Sequence, residues 1–256
     1  MNIEKRSIVI LFVFFLSCAK NIKTVTKVEN MYSKIKKELA PDKRTELFDI
    51  QFHLLNGAIT LKGETTSKKA LSRLQDSLKY SQVNFKSEVR ILPDSSLENR
   101  QFAIAKNSVI NIRSNPKHSA ELGTQGLLGM ALRVLDKKGD FYRIQTPDNY
   151  ISWVDKGGIQ RMNKREFDLW NASKKVLFTN NVGQVFASKK KNSTIISDIT
   201  LGGVLKYVSE DATFYKVTYP DNRTGFIKKN EAIIYDCWLK SLKSTPENIE
   251  VIAKKM

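Results

Sequence analysis

The stretch FYRIQTPDN at residues 141–149 decides the fold, because it recurs as FYKVTYPDN at residues 214–222. Each copy is predicted to be a strand with alternating faces that begins with two aromatic residues and runs into a Pro-Asp-Asn turn. A second aromatic strand follows each turn. The same offset also superposes Leu128-Gly129 on Leu201-Gly202. Such register, kept without gaps, predicts one small β module present twice in tandem.

The region before the first module has a different pattern. Within residues 41–98, two alternating strands flank Asn56-Gly57, the strongest short hairpin signal. Thr66 is expected to cap a helix, and a third strand follows that helix. The apolar stripe of the helix is Ala70, Leu71, Leu74 and Leu78. This order predicts a small ββαβ domain, and the whole chain is expected to be mainly β with a small α+β domain first.

The remaining boundaries follow from helix signals. We expect the two barrels to occupy residues 99–163 and 176–232, with a linker helix over 164–175. Asn163 and Glu166 have the spacing of a capping box at the start of that helix. Residues 233–256 are expected to form C-terminal helices, the last one beginning at Thr245-Pro246-Glu247.

The amino terminus predicts export. Lys5-Arg6 precede an apolar run over 7–16 that ends in Ser17-Cys18, which is the layout of a signal peptide over 1–17. The run is shorter than the about 20 apolar residues that a membrane-spanning helix needs. Residues 15–18 resemble the bacterial lipobox, which implies that Cys18 is lipidated and anchors a periplasmic or outer-membrane lipoprotein to a membrane. An ordinary cleaved signal with an incidental cysteine is the alternative.

Residues 18–40 are polar and lysine-rich, with weak helical spacing at Met31, Ile35 and Leu39. We expect this segment to be a tether, with a helix at its end left open, whose positive charge either contacts anionic lipid headgroups or stays solvated.

The net charge of the chain limits the classes of partner that it can bind. The formal net charge is +17, from 43 basic and 26 acidic residues, which suits nucleic acid, anionic lipid or an anionic wall polymer. No recognition-helix pattern or RNA-binding aromatic motif accompanies the charge, so we expect no nucleic-acid partner. Two histidines and two cysteines far apart in sequence predict no metal, and no glycine-rich phosphate loop points to a cofactor. With Cys18 acylated, Cys237 would have no intrachain disulfide partner.

The opening of the first module resembles a known family. Residues 111–116, NIRSNP, resemble the Asn-Leu/Val-Arg-Ser-x-Pro opening of the bacterial SH3-like domain. Residues 118–129, 139–142 and 147–154 are similar to one subgroup, the amino-terminal part of NlpC/p60-type cell-wall peptidases related to dipeptidyl-peptidase VI. The resemblance implies two tandem SH3-like β barrels. Phe141, Asn149 and Ser152 depart from the family pattern, which leaves the fold prediction intact and blurs any inference about a ligand.

The second module lacks the opening signature, because residues 184–187 read QVFA. It is the more degenerate copy, and we expect a spacer there rather than a binding site.

The chain lacks the catalytic motif of the family it resembles. Those peptidases need a cysteine at a helix start within Asp-Cys-Ser-Gly and a histidine as base. Asp236-Cys237 is followed by Trp238-Leu239, so we expect Cys237 to be a buried helical thiol rather than a nucleophile. His118 and His53 fall in the accessory domains, and His53 is expected to be a solvated strand residue. The sequence therefore predicts a non-catalytic chain without the peptidase domain.

Recognition is the expected role, since SH3-like barrels expose loops and aromatic grooves suited to extended peptides. The candidate residues form either a ligand site or a docking surface for a catalytic domain, and these are Arg113, His118, Ser119, Glu121, Gln125, Tyr150 and Trp153. Tyr142, Tyr150 and Trp153 are candidates to line a groove, with core packing as the alternative and the preferred one for Trp153. Arg113 either clamps a carboxylate or pins its own loop.

These patterns leave two principal hypotheses open. In the first, the chain is the targeting and substrate-shaping part of an NlpC/p60-type γ-D-glutamyl–diamino-acid endopeptidase and recognises peptidoglycan stem peptides. In the second, it is a complete adaptor lipoprotein that binds peptidoglycan or a partner enzyme. A hydrolase that uses Cys237 is the least favoured hypothesis.

Overall fold

The structure is a computed structural model that describes residues 24–55, 57–242 and 245–253. The predicted signal peptide and Cys18 lie outside these residues. The chain divides into a first compact unit that ends at Asp94 and a second that begins at Ser95. Within the described ranges no helix combines the length and the apolar character needed to cross a membrane.

The first unit contains the predicted ββαβ order. Helix α1 covers residues 24–39 and is followed by β1 (Phe48–Leu55), β2 (Ala58–Thr65), α2 (Lys68–Tyr80) and β3 (Phe85–Ile91). Strands β1 and β2 pair antiparallel, β2 and β3 pair parallel, and α2 connects the parallel pair. The predicted apolar stripe of α2 is buried in the core of this unit. The ββαβ prediction is confirmed.

The cap of α2 lies one residue later than predicted. Ser67 is the N-cap, and its hydroxyl accepts from the backbone N–H of Ala70. The hydroxyl of Thr66 instead contacts Glu46 and accepts from the backbone N–H of Leu47. Thr66 therefore fastens the start of β1 and not the helix.

Residues 24–39, which we expected to belong to a tether, form a helix that packs into the domain. Val28, Ile35 and Ala40 are buried in the same core as α2, and the Tyr32 hydroxyl donates to the carbonyl of Phe48 at 2.7 Å. Lys27, Lys34 and Lys37 are exposed, whereas Lys36 is half-buried and donates to the Tyr32 hydroxyl. The helical spacing of Met31, Ile35 and Leu39 marks the packed side of this helix, because Ile35 is buried and the other two pack against the same core.

The second unit contains the same seven-stranded module twice. The first barrel covers residues 102–162 and the second covers residues 175–234. Strands at equivalent positions of the two repeats are hydrogen-bonded in the same order. The predicted tandem of SH3-like barrels is confirmed.

The strands of the first barrel are β4 (Phe102–Ala105), β5 (Val109–Arg113), β6 (Leu122–Leu127), β7 (Ala131–Lys138), β8 (Phe141–Gln145), β9 (Ile151–Asp155) and β10 (Ile159–Met162). Those of the second are β11 (Lys175–Phe178), β12 (Val182–Phe186), β13 (Ile195–Thr200), β14 (Val204–Glu210), β15 (Phe214–Thr218), β16 (Thr224–Lys228) and β17 (Ala232–Ile234). The strand order is β10-β4-β7-β8-β9-β5-β6 in the first barrel and β13-β12-β16-β15-β14-β11-β17 in the second. Short 3-10 turns lie at Ser95–Leu97, Lys156–Gly158 and Lys229–Glu231.

The turns repeat as closely as the strands. Asn149 and Asn222, the last residues of the two Pro-Asp-Asn turns, both have φ of 69°. Asparagine is one of the few side chains that tolerate this left-handed region, which explains its place at both turns.

Helix α3 (Lys164–Ala172) joins the barrels and begins with the predicted capping box. The Asn163 side chain accepts from the backbone N–H of Glu166 at 2.9 Å, and the Glu166 carboxylate accepts from the backbone N–H of Asn163 at 2.8 Å. Trp170 packs against Ile104 and Met162 of the first barrel. The predicted linker helix is therefore fastened to the first barrel.

Two helices follow the second barrel, α4 (Tyr235–Ser241) and α5 (Pro246–Ala253). Cys237 lies in α4, as predicted, but its side chain is exposed and not buried. The expectation of a buried thiol was wrong because α4 is short, with no buried residue of its own.

Lys175 closes the carboxyl end of α3. Its Nζ donates to the carbonyl of Trp170 and, at 2.8 Å each, to the carbonyl and the hydroxyl oxygen of Ser173. Burial, together with the nearby Lys206 ammonium, lowers the pKa of Lys175 to about 8, and Asp236 opposes part of this shift.

This pKa predicts a pH dependence of stability. Between about pH 8 and about pH 10.4 the unfolded chain binds more protons at Lys175 than the folded chain, so the free energy of unfolding should rise with pH. Lys175→Met should lack this contribution. Urea unfolding followed by tryptophan fluorescence, at about pH 7 and about pH 9.5, measures it. Equal pH slopes for the two proteins would contradict the assignment.

Candidate functional site

One row of side chains crosses the outer face of the first barrel. Asp136, Arg143, Trp153 and Arg113 lie directly opposite one another on β7, β8, β9 and β5. Their chain neighbours Ile112, Ile144 and Val154 belong to the core of the barrel. Because successive strand residues point to opposite faces, the row points away from that core.

Trp153 is buried on this outer face. Only 7% of it is exposed, and the Arg143 guanidinium lies 4.6 Å from its ring centre in a cation–π contact. Trp153 is buried, as the prediction of core packing required, but it lies on the outer face of the sheet and not in the barrel core. Because Trp153 is almost completely buried beneath Arg143, it supports the site and does not line it.

Arg113 pins its own loop. Its Nη1 donates to the carbonyl of Ala120 at 2.8 Å, and the backbone N–H of Ser114 donates to the carbonyl of Glu121 at 3.0 Å. Of the two roles considered for Arg113, the loop-pinning one is what the structure shows. The loop over residues 114–121, the first-barrel loop, is thereby held against the sheet.

His118 projects from the first-barrel loop over the start of β8. Its ring centre is 5.0 Å from that of Phe141, and its Nε2 is 3.6 Å from an Asp155 carboxylate oxygen. The His118 side chain is nevertheless 77% exposed. The imidazole is positioned by two neighbours and still open to a ligand.

A pair of opposite charges lies beside this histidine. Lys156 Nζ donates to the Asp140 carboxylate at 2.7 Å. This bond lowers the pKa of the Asp140 carboxyl and raises the pKa of Lys156. Asp155 accepts from the backbone N–H of Gly157 at 2.7 Å, which fixes its carboxylate below His118. Sequence reasoning missed Asp140, Asp155 and Lys156, because their meeting depends on strand register.

The other candidates have varied environments. Ser119 and Glu121 are exposed on the first-barrel loop. The Gln125 amide donates to the Asn111 side chain at 2.9 Å. Tyr150 is half-buried against the core, and its hydroxyl lies over Gly123, where a Cβ would be only 2.5 Å away.

Tyr142 belongs to the core and not to a groove. It is buried among the core residues of the first barrel, and the Arg161 guanidinium lies 5.0 Å from its ring centre. The exposed part of the candidate site therefore consists of His118, Ser119, Glu121 and Gln125, with the edge of Tyr150.

The described residues contain no group of three or more histidine, cysteine, aspartate or glutamate side chains placed to hold a metal ion. Cys237 belongs to α4, after the second barrel, whereas His118 belongs to the first-barrel loop and His53 to β1.

The fold is a tandem of two seven-stranded β barrels with the same strand order. Residues 112–159, within the first barrel, match the family model described as the bacterial dipeptidyl-peptidase Sh3 domain. The resemblance that the sequence suggested is confirmed. A search of the curated proteins gives no significant match.

Similar solved structures are proteins of the NlpC/P60 family. An NlpC/P60 family protein from Bacillus cereus ATCC 10987 aligns with 52% of this chain at 20% identity and a TM-score of 0.45. An NlpC/P60 endopeptidase from Photobacterium damselae subsp. piscicida aligns with 67% of this chain at 12% identity and a TM-score of 0.40. The alignments span 56% and 39% of those two chains.

Proposed function

We propose that this chain is a non-catalytic recognition module of the bacterial cell envelope, and that its first barrel binds peptidoglycan stem peptides. The observation that carries the proposal is the match of residues 112–159 to the SH3 domain of bacterial dipeptidyl-peptidases, a segment that contains the whole first-barrel loop. In this proposal the chain is the accessory part of an NlpC/p60-type γ-D-glutamyl–diamino-acid endopeptidase. A lipid on Cys18 anchors it to a membrane outside the cytoplasm.

The chemistry of the loop suits a short zwitterionic peptide. His118 and the neighbouring Lys156 face ligand carboxylates, whereas Glu121 and Asp155 face ligand amines. Because Arg113 already holds the loop, little conformational entropy is lost when a ligand binds. A preorganised site requires contacts that hold its exposed polar side chains in place, and the bond from Arg113 to the loop is such a contact.

Sedimentation with purified sacculi tests this proposal. The full chain should co-sediment with sacculi at low salt, and soluble stem peptide should displace it. His118→Ala combined with Glu121→Ala should weaken sedimentation about tenfold, since two polar contacts to the ligand are lost.

A matched control separates specific binding from attraction by net charge. His53→Ala combined with Asp49→Ala removes one histidine and one acid from the exposed side of β1 and should leave sedimentation unchanged. Absence of co-sedimentation at low salt would overturn direct wall binding. Binding that survives the His118 and Glu121 substitutions would overturn this site.

The alternative function is an adaptor that docks a partner enzyme on the same loop face. It is favoured by the exposure of His118 beside an ordered charge pair, which suits a protein surface as well as a peptide. Sacculi would then bind only when the partner enzyme is present.

A further inference from the structure

Three phenylalanine rings lie partly exposed on the outer face of the second barrel. Phe186 on β12 is directly opposite Phe226 on β16, and Phe214 on β15 packs edge-on against Phe226 with ring centres 6.5 Å apart. Their chain neighbours Val185, Tyr215 and Ile227 fill the core of the barrel. The rings therefore belong to the face that points away from the core.

Lysines surround these rings. Lys189 Nζ lies 5.5 Å from the ring centre of Phe226, and Lys228 Nζ lies 5.6 Å from that of Phe186. Lys216 is directly opposite Phe226 on the same face. We call Phe186, Phe214, Phe226, Lys189, Lys216 and Lys228 the phenylalanine–lysine surface.

The charges of this surface are only partly compensated. Lys189 pairs with Asp211 at 2.5 Å and Lys228 with Glu231 at 3.3 Å. Lys216 has no ion pair within the part of the chain that the structure describes, and the adjoining loop adds the exposed Lys190 and Lys191. The surface keeps a positive excess beside its apolar rings.

The first barrel covers the equivalent face. There Phe141 and Trp153 are only 6% and 7% exposed, and Arg113 holds the first-barrel loop down. Phe186 occupies the repeat position of Arg113, so the second barrel has no guanidinium to hold its loop. The loop over residues 187–194 hydrogen-bonds within itself instead, through Ser188 N–H and the Ser193 hydroxyl at 2.8 Å.

The exposed apolar area continues to the edge of the sheet. Ile195 on the edge strand β13 is directly opposite Phe186 and is 48% exposed. The row Phe226, Phe186, Ile195 crosses three adjacent strands, which lie about 5 Å apart. A ligand that binds along this row needs apolar side chains to contact the rings, and carboxylates to pair with the neighbouring lysines.

We propose that the phenylalanine–lysine surface binds an acidic protein segment in which aromatic residues are flanked by glutamate or aspartate. The aromatic side chains pack on the phenyl rings, and the carboxylates meet Lys216 and Lys228. Phosphate polymers would satisfy the lysines and leave the rings exposed, which disfavours them. The sequence pattern predicted a spacer at this barrel, and this surface assigns it a second, separate partner site.

Fluorescence anisotropy of the full chain tests the proposal with a labelled peptide of about 12 residues built from Glu-Glu-Phe repeats. We expect saturable binding at about 50 mM NaCl that weakens at higher salt. A Glu-Glu-Ala peptide of equal charge should bind at least about tenfold more weakly, because it offers nothing to the phenyl rings. Polyphosphate should compete poorly.

Variants locate the site without disturbing the core. Lys216→Glu combined with Lys228→Glu changes exposed or half-exposed side chains and should weaken binding at least about tenfold. Lys34→Glu combined with Lys37→Glu, on the solvent side of α1, changes the net charge equally and should weaken it far less. Equal losses in the two variants, equal affinity for the two peptides, or stronger binding of polyphosphate would each overturn the proposal.

Discussion

Gly129→Ala should destabilise the second unit by about 3 kcal/mol. Gly129 has φ of 87°, where a Cβ is strained. An added Cβ would also lie 2.4 Å from the carbonyl oxygen of Val204 and 2.3 Å from one of its methyl carbons. That carbonyl belongs to the backbone at the start of β14 and cannot move aside as the end of a flexible side chain would.

The repeat itself provides the control for this substitution. Gly202 occupies the equivalent turn with φ of 84°, and a Cβ there would meet only the terminal methyl of Leu127 at 3.0 Å. Gly202→Ala should therefore cost about 1 kcal/mol, the backbone contribution alone. Urea unfolding followed by the fluorescence of Trp153, Trp170 and Trp238 reports on this unit. Equal losses for the two variants would show that the barrels do not meet at Gly129.

Leu128→Ala should cost about 3 kcal/mol and should act on the second barrel more than on the first. Leu128 belongs in sequence to the first barrel, between β6 and β7, but it is 1% exposed and lies in the core of the second. Truncation leaves a cavity beside Leu205 and Val176, members of that same core. Hydrogen exchange should therefore accelerate in β11 and β14.

The matched substitution is Leu201→Ala, at the equivalent position of the second module. Leu201 is half-buried, so we expect a loss of less than about 1.5 kcal/mol. Exchange that accelerates only in the first barrel after Leu128→Ala would contradict the assignment of this side chain to the second core.

Most of the fold could be predicted from the sequence, because its determinants are local or repeated. The recurrence of FYRIQTPDN fixed the number of barrels, and the stripe at Ala70, Leu71, Leu74 and Leu78 fixed the face of α2. The capping box at Asn163 needs only residues within one helical turn. Local and repeated patterns of this kind predict structure without knowledge of the rest of the fold.

The failures involve contacts between distant parts of the chain. The spacing of Met31, Ile35 and Leu39 indicates a helical face in α1, but it does not indicate that this face packs into the core of the small domain. Likewise Cys237 is exposed, because α4 (Tyr235–Ser241) contains no buried residue. The burial of both segments was mispredicted, because burial depends on partners that are remote in sequence.

The position of the candidate site on the first barrel stays a prediction, and the sequence indicated only part of the residues that the structure places there. The signature around Arg113 identified the first-barrel loop, but not whether the guanidinium binds a ligand or the loop. Register decided the rest, because it places Arg143 over Trp153 and brings Asp155 to His118. Strand register is fixed by the whole barrel, and a single strand does not contain it.

Hydrogen-exchange mass spectrometry of the full chain with soluble peptidoglycan stem peptides is the most direct test of the central claim. The first-barrel loop and its surroundings, residues 114–125 and the backbone near Tyr150, should exchange more slowly with the peptide bound. Slower exchange confined to other parts of the chain, or no change at saturating peptide, would contradict the claim that the first barrel recognises the wall.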